Sequence, residues 1–134
     1  VASTYGYPYP RLPEDAGPSV PATAAFEGGM TRVDVDADGT GCSVVWDAEV
    51  ASVAVPKLST ADGTILTVTR EPGSDPVRLA STVISASDGS VLAARPLPAG
   101  TTDPLQLAGT VAPDGVLYQG TLGTILRITA PAAG

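Results

Sequence analysis

Four Asp-Gly pairs recur along the chain at nearly constant spacing. They begin at Asp38, Asp62, Asp88 and Asp114, and successive pairs lie 24, 26 and 26 residues apart. Each pair stands between two short runs in which Val, Ile, Leu and Thr are frequent. Asp-Gly between such runs is typical of a β-hairpin, because Gly adopts a positive φ without a steric clash. The sequence therefore predicts four hairpins and an all-β fold.

The hairpins alternate in kind, so the repeating unit is a pair of hairpins. The first and third read "RVDVDADGTGCSVVW" and "TVISASDGSVLAARPL", and the second and fourth read "VPKLSTADGTILTVTR" and "LAGTVAPDGVLYQGT". Equivalent aspartates are 50 residues apart in the first set (38 to 88) and 52 in the second (62 to 114). Four strands in about 50 residues is the size of one β-propeller blade. A complete β-sandwich made of the same hairpins is the alternative fold.

Two segments resemble the repeat of pyrroloquinoline-quinone-like (PQQ-like) β-propellers. The segment "TRVDVDADGTGCSVVWDAE" resembles the third and fourth strands of that repeat and ends near Trp46, and "PDGVLYQGTLGTILRI" resembles its first three strands. The likeness covers roughly residues 29–129. Ala94 and Arg95 hold the place of the tryptophan in the next unit, which departs from the family pattern. The resemblance implies the C-terminal portion of a secreted propeller protein of actinobacterial type.

The blade pattern divides the chain into four parts. We expect residues 1–28 to hold the end of one blade and a Tyr/Pro-rich inserted loop, 29–49 two further strands, 50–98 a full blade, and 99–134 the strands of a closing blade. These parts amount to about two and a half four-stranded antiparallel blades, whereas propellers have at least four. We therefore expect a second polypeptide that carries the remaining blades. The first residue, Val1, is not a methionine, which favours a processed product or a fragment.

Charge and hydropathy exclude some classes of partner. The net charge is −7 and Lys57 is the one lysine, so the chain has no basic stretch that could follow a phosphate backbone. The sequence therefore predicts no nucleic-acid partner. No run of 18 apolar residues occurs, so the sequence also predicts no membrane span. The resemblance implies a bacterial protein that is secreted or at the cell surface. Cys42, the one cysteine, is either a buried small hydrophobe or a thiol open to an intermolecular disulfide.

Three alternating aspartates invite a calcium hypothesis. Asp34, Asp36 and Asp38 with Gly39 match the start of a D-x-D-x-D-G loop. The twelfth position of such a loop, where a bidentate Glu would stand, is Val45, and Cys42 stands three residues after Gly39. Alternation with Val33, Val35 and Ala37 favours instead a strand that buries its valines and exposes its aspartates before it turns. We predict the strand and no metal, with calcium as the alternative.

Three tyrosines alternate near the start of the chain. Tyr5, Tyr7 and Tyr9 are flanked by Pro8 and Pro10. They could form an aromatic platform for a sugar or a proline-rich peptide. Alternatively, they anchor the inserted loop through burial of their rings, which is the interpretation that the sequence favours.

No catalytic constellation is visible in the sequence. Histidine is absent, so Cys42 has no imidazole to activate it. Lys57 follows a proline and is expected to be solvated. General acid–base catalysis could use a pair of carboxylates, but the sequence does not indicate which acids lie close together in space. The glutamates include Glu27, Glu49 and Glu71.

Two functions follow from these observations. The first is a segment of an extracellular propeller that acts as a binding or scaffolding module. The second is a segment of a quinoprotein-like oxidoreductase, or of another propeller enzyme, with its site in the central channel. The resemblance permits a quinone and calcium, but the family's tryptophan floor and acidic ligands have no residue-by-residue match here. The sequence therefore assigns no cofactor and no catalytic residue.

Overall fold

The computed structural model describes residues 2–3, 29–71, 74 and 78–129. These residues form strands joined by turns and contain no helix. The described part of the chain thus has no helix of the length and hydropathy that a membrane crossing requires. The strands are β1 (Ala2–Ser3), β2 (Met30–Val35), β3 (Cys42–Ala48), β4 (Lys57–Ser59), β5 (Thr64–Arg70), β6 (Leu79–Ser85), β7 (Val91–Pro96), β8 (Gly109–Val111), β9 (Leu117–Gly120) and β10 (Ile125–Ile128).

The strands form three antiparallel sheets, and each sheet uses strands that follow one another in the chain. The N-terminal sheet has the order β1-β2-β3, the central sheet β4-β5-β6-β7, and the C-terminal sheet β8-β9-β10. Each sheet is therefore a simple meander, and none of those described is closed on itself. The prediction of an all-β chain with antiparallel pairing is confirmed.

All four Asp-Gly pairs form the turns that the sequence predicts. They connect β2 to β3, β4 to β5, β6 to β7, and β8 to β9. The glycines have positive φ angles: +70° at Gly39, +65° at Gly63, +75° at Gly89 and +78° at Gly115. In the first turn, Oδ1 of Asp38 accepts the backbone N–H of Thr40 at 3.0 Å and its hydroxyl at 2.8 Å. The next two turns repeat this pair of bonds through Asp62 to Thr64 and Asp88 to Ser90.

The structure also shows the alternation of hairpin type. In the first and third hairpins, residues 36–41 and 85–90 lie beyond the last cross-strand pair, and hydrogen bonds of 2.9 Å and 2.8 Å join the first and last residues of these segments. Each of these two hairpins contains one register shift, and the other two Asp-Gly hairpins have none. Val35 and Ile84 form these last cross-strand pairs, opposite Cys42 and Val91. Strands β2 and β6 therefore occupy equivalent positions in the repeat.

An apolar cluster joins the N-terminal sheet to the central sheet. It consists of Met30, Trp46, Val50, Ile65 and Ile84. Because apolar surface removed from water stabilises the fold by about 25 cal/mol per Å², this cluster stabilises the contact between the two sheets. A second cluster lies within the central sheet and the segment before it: Val53, Ala54, Val68 and Leu79.

Trp46 docks on the turn of the third hairpin. Its indole N–H donates to the carbonyl of Ala86 at 3.0 Å, and Nη1 of Arg32 donates to the same oxygen at 2.8 Å. A Cβ atom at Gly89 would lie 2.7 Å from Cε3 of this indole. Gly89 is therefore required twice, for its positive φ and for the close approach of the ring.

The C-terminal sheet is tied to the central sheet through the segment that connects them. The backbone N–H of Gln106 donates to Val53 at 2.8 Å, and its side-chain amide donates to Ser52 at 3.0 Å. Leu105 and Gln106 have φ angles of +44° and +59°. Such angles cost a non-glycine residue about 1–3 kcal/mol each, and the two hydrogen bonds of Gln106 offset part of that cost.

Candidate interaction surfaces

The first two of the three alternating aspartates have separate hydrogen-bond partners. Asp34 accepts a hydrogen bond from Nε of Arg32 at 2.8 Å, and Asp36 accepts one from the hydroxyl of Ser43 at 2.6 Å. Asp38 lies in the turn itself. Within residues 29–71, 74 and 78–129, no three His, Cys, Asp or Glu side chains converge to hold a metal. The stretch forms a strand followed by a tight turn, as the sequence predicts.

Hydrogen bonds favour the charged form of two of these carboxylates, Asp34 and Asp38. The guanidinium of Arg32 lowers the pKa of Asp34, chiefly through its hydrogen bond. The backbone N–H of Thr40 is the largest cause of the lowered pKa of Asp38. Since hydrogen bonds to a carboxylate favour its ionised form, this edge of the sheet stays negatively charged at neutral pH.

The two faces of the N-terminal sheet differ in what covers them. One face carries Met30, Arg32 and Asp34 from β2 and Trp46 from β3, and it packs on the central sheet. Alternate residues of a strand point to opposite sides. The pairing skips Val45, so that Trp46 lies opposite Arg32 and Val44 lies opposite Val33. The opposite face, here called the valine face, consists of Thr31, Val33, Val35, Cys42, Val44 and Asp47.

The valine face is exposed, which corrects one prediction. The sequence predicts that β2 buries its valines and exposes its aspartates. In the structure Val33, Val35 and Val44 are 45%, 70% and 65% exposed, whereas Asp34 and Asp36 are half-buried. The reason is that the aspartate side also carries Met30, which is fully buried against the central sheet. Alternation predicted two unlike faces but assigned the wrong one to the core.

The equivalent face of the central sheet is buried. Like Val35, Ile84 forms the last cross-strand pair before the turn of its hairpin, and it lies opposite Ile65 on β5. Both isoleucines are buried against Met30 and Trp46 of the N-terminal sheet. The counterpart of the valine face on the central sheet is thus covered by a neighbouring sheet.

The C-terminal sheet exposes its other side. Leu117 and Gln119 of β9 are buried, and the amide of Gln119 donates to the carbonyl of Leu107 in the connecting segment at 2.8 Å. The outward residues are here called the Tyr118 face and comprise Thr110, Tyr118, Ile125 and Arg127. All four are exposed, Ile125 at 71%.

Cys42 and Lys57 have different environments. Cys42 is exposed on the valine face, so the buried interpretation of this thiol is wrong. Lys57 on β4 is expected to be solvated, yet it is partly buried, and burial lowers its pKa. Its Nζ donates to the carbonyl of Val55 at 2.7 Å, which ties it to the loop before β4.

The remaining candidates that lie among the described residues do not form a shared site. Oε2 of Glu71 lies 3.9 Å from Nη1 of Arg78 in an exposed ion pair. Glu49 is exposed just after the end of β3. Ala94 and Arg95 are exposed on β7, so they do not reproduce the docking of Trp46. The predictions for Glu27 and for the tyrosines lie outside the described residues, at Tyr5, Tyr7 and Tyr9.

Comparison with family models, with curated proteins and with solved structures finds no match to this chain. The valine face and the Tyr118 face are consequently judged on their chemistry alone. Both are sheet faces that combine aliphatic or aromatic side chains with one charged residue each, Asp47 and Arg127. Such surfaces are suited to packing against another protein surface.

Proposed function

We propose that this chain is a segment of an extracellular β-propeller that acts as a binding or scaffolding module. Its three sheets are consecutive blades, and a second polypeptide carries the remaining ones. The observation that carries the proposal is the exposed valine face, because the equivalent face of the central sheet is buried by its neighbour.

The order of the strands supports this proposal. Each sheet is a meander of successive strands, and a β-propeller likewise builds each blade from one continuous stretch of chain. The central sheet has the four strands of a full blade. The bulged hairpins recur 50 residues apart, measured from Asp38 to Asp88.

The end faces support the proposal of a partner. In repeat arrays the outermost unit carries a polar outer face, because nothing packs on it. Here Val33, Val35 and Val44 are exposed together on the valine face, and Tyr118 and Ile125 are exposed together on the Tyr118 face. Apolar side chains grouped in this way indicate surfaces that another polypeptide covers.

The test is the mass of the purified particle under native and denaturing conditions. The proposal predicts a native mass above the 13.3 kDa of the chain, with the additional polypeptide released on denaturation. A folded monomer of 13.3 kDa at micromolar concentration would overturn the proposal and favour the β-sandwich.

A further inference from the structure

We propose that Asp114 is a site of spontaneous backbone modification, at which the bond from Asp114 to Gly115 converts to a β-linked isoaspartyl bond through a succinimide. The modification goes beyond the proposed function and does not depend on a second polypeptide. Its basis is a difference among the four Asp-Gly turns. In three of them a nearby hydroxyl donates a hydrogen bond to the aspartate, and in the fourth it does not.

The reaction uses the atoms of the turn and water. The backbone nitrogen of Gly115 forms a bond to Cγ of Asp114, and the carboxyl hydroxyl leaves with the amide proton as one molecule of water. Water then adds to one of the two ring carbonyls. Opening at Cγ restores the aspartyl bond, whereas opening at the main-chain carbonyl leaves the chain linked through Cβ and Cγ. A glycine after the aspartate favours ring closure, because it has no Cβ atom to obstruct the approach.

The side chains of the turn aspartates differ in one hydrogen bond. In the first three turns a hydroxyl two residues after the aspartate donates to its Oδ1, at 2.8 Å from Thr40, 2.9 Å from Thr64 and 2.7 Å from Ser90. The residue at this position in the fourth turn is Val116, which has no hydroxyl. Within the described part of the chain, the Asp114 side chain accepts one hydrogen bond, from the backbone N–H of Val116 at 3.2 Å.

The hydroxyl opposes ring closure in two ways. It holds the carboxylate of Asp38 toward Thr40, and this bond must break before Cγ can approach the nitrogen of the following glycine. It also favours the ionised carboxylate, which has no hydroxyl to lose. The backbone N–H of Thr40, and after it the hydroxyl of the same residue, lower the pKa of Asp38 accordingly.

The attacking nitrogen does not distinguish the fourth turn from the first. The N–H of Gly115 donates to Ala112 at 2.9 Å, and the N–H of Gly39 donates to Asp36 at 2.8 Å. Both glycines are exposed and have similar φ angles, +78° and +70°. The difference in reactivity between the two turns therefore follows from the hydroxyl.

The third turn should react most slowly. Ser90 donates both its N–H and its hydroxyl to Asp88, at 3.0 Å and 2.7 Å. Gly89 is also buried, and an atom added at its Cβ position would lie 2.7 Å from the indole of Trp46. The five-membered ring would have to form beneath this indole.

The modification would alter the hairpin of β8 and β9. A β linkage adds one atom to the main chain between Asp114 and Gly115. The N–H of Ala112 donates to the carbonyl of Val116 across this turn at 2.9 Å, and the longer loop does not fit that bond. Val116 and Leu117 are buried, so the change acts on the packed side of the C-terminal sheet.

The test incubates the folded full chain in neutral buffer made with water enriched in heavy oxygen. Each succinimide that opens leaves one heavy oxygen on its residue, whichever carbonyl the water attacks. The chain is then digested in ordinary water, and fragmentation of the peptides in a mass spectrometer measures the label at each of the four aspartates. Unfolded chain in guanidinium chloride is treated in the same way.

We expect Asp114 to acquire label roughly fivefold faster than Asp38, the factor in a rate that corresponds to the net free energy of one hydrogen bond. Asp88 should acquire it most slowly. The difference between Asp114 and Asp38 should disappear in guanidinium chloride. Equal rates at these two residues in the folded chain would overturn the proposal, and so would a difference that persists after unfolding.

Two isosteric substitutions exchange the property between turns. Thr40→Val should raise the rate at Asp38 roughly fivefold, and Val116→Thr should lower the rate at Asp114 by the same factor. Thr40→Ser is the matched control, because it keeps the hydroxyl and should leave the rate at Asp38 unchanged. Circular dichroism establishes that each variant is folded.

The exposed position decides the outcome if the buried one does not tolerate a hydroxyl. Thr40 is exposed, whereas Val116 is buried, so Thr40→Val carries the test when Val116→Thr fails to fold. An unchanged rate at Asp38 in Thr40→Val would overturn the proposal. An equal increase in Thr40→Ser would also overturn it, since the hydroxyl would then not be the cause.

Discussion

The packing of Trp46 over the third hairpin turn predicts an unusually large cost for one glycine substitution. Gly89→Ala places a Cβ atom 2.7 Å from Cε3 and 2.9 Å from Cδ2 of the indole. The indole is buried and is held by its hydrogen bond to Ala86, so it moves only at the expense of packing. Gly115→Ala is the matched control, because Gly115 has a similar φ of +78° and no atom within 4 Å of its added Cβ.

The magnitude follows from two separate effects. A left-handed φ costs an alanine about 1–2 kcal/mol, which is the whole effect expected for Gly115→Ala. Overpacking adds about 1–3 kcal/mol at Gly89, so Gly89→Ala should lower the free energy of unfolding by about 2–5 kcal/mol in total. Urea unfolding followed by far-ultraviolet circular dichroism measures both variants in the same buffer.

A double-mutant cycle isolates the steric part. In a Trp46→Leu background the indole is gone, so Gly89→Ala should cost no more than Gly115→Ala does. The coupling between positions 46 and 89 should then be about 1–3 kcal/mol. Equal costs of the two glycine substitutions in the wild-type chain, or a coupling near zero, would refute the described packing of Trp46.

Three further predictions test other parts of the structure. Met30→Ala should lower the free energy of unfolding by about 2–5 kcal/mol because Met30 is fully buried. Val35→Ala, measured at a concentration where the chain is monomeric, should change it by less than about 0.5 kcal/mol. The reverse order in urea unfolding would mean that the faces of β2 are wrongly assigned. Gln106→Ala should lower the free energy of unfolding by about 1 kcal/mol, because it removes the side-chain hydrogen bond to the carbonyl of Ser52. An unchanged urea midpoint would show that this hydrogen bond does not contribute to stability. The pKa of Asp38 is lowered by its turn hydrogen bonds, so its stabilising effect is present above the unfolded pKa of about 4 and is lost as the pH falls through the folded value. The urea midpoint of the wild-type chain should therefore fall more steeply below about pH 4 than that of Asp38→Asn, and parallel curves would contradict the prediction.

The hairpins could be predicted from the sequence because the interactions that form their turns are local. An Asp-Gly pair specifies a turn through the φ of Gly39 and through the side chain of Asp38, which bonds to a residue two positions away. Thr and Val runs on either side complete the ladders that the structure shows. The calcium alternative also depends on local sequence, since the position of its closing ligand is occupied by Val45.

The candidate surfaces were not accessible in the same way. Alternation along β2 predicted two unlike faces, but which one is covered depends on the central sheet. That choice is made by Met30 and Trp46, whose contacts Ile65 and Ile84 lie 19 to 54 positions further along the chain. No pattern within the strand itself contains this information.

The sequence by itself determined the strands, the turns and the order in which they follow one another, because hydrogen bonds between near neighbours and the φ preference of glycine act locally. The tertiary structure alone decided which faces meet. The indole of Trp46 finds its acceptor on Ala86, 40 residues away. Leu105 and Gln106 have left-handed angles at the point where Gln106 bonds to residues 52 and 53. Side chains from distant parts of the chain compete for the same apolar surface, and that competition is settled only when the sheets pack together.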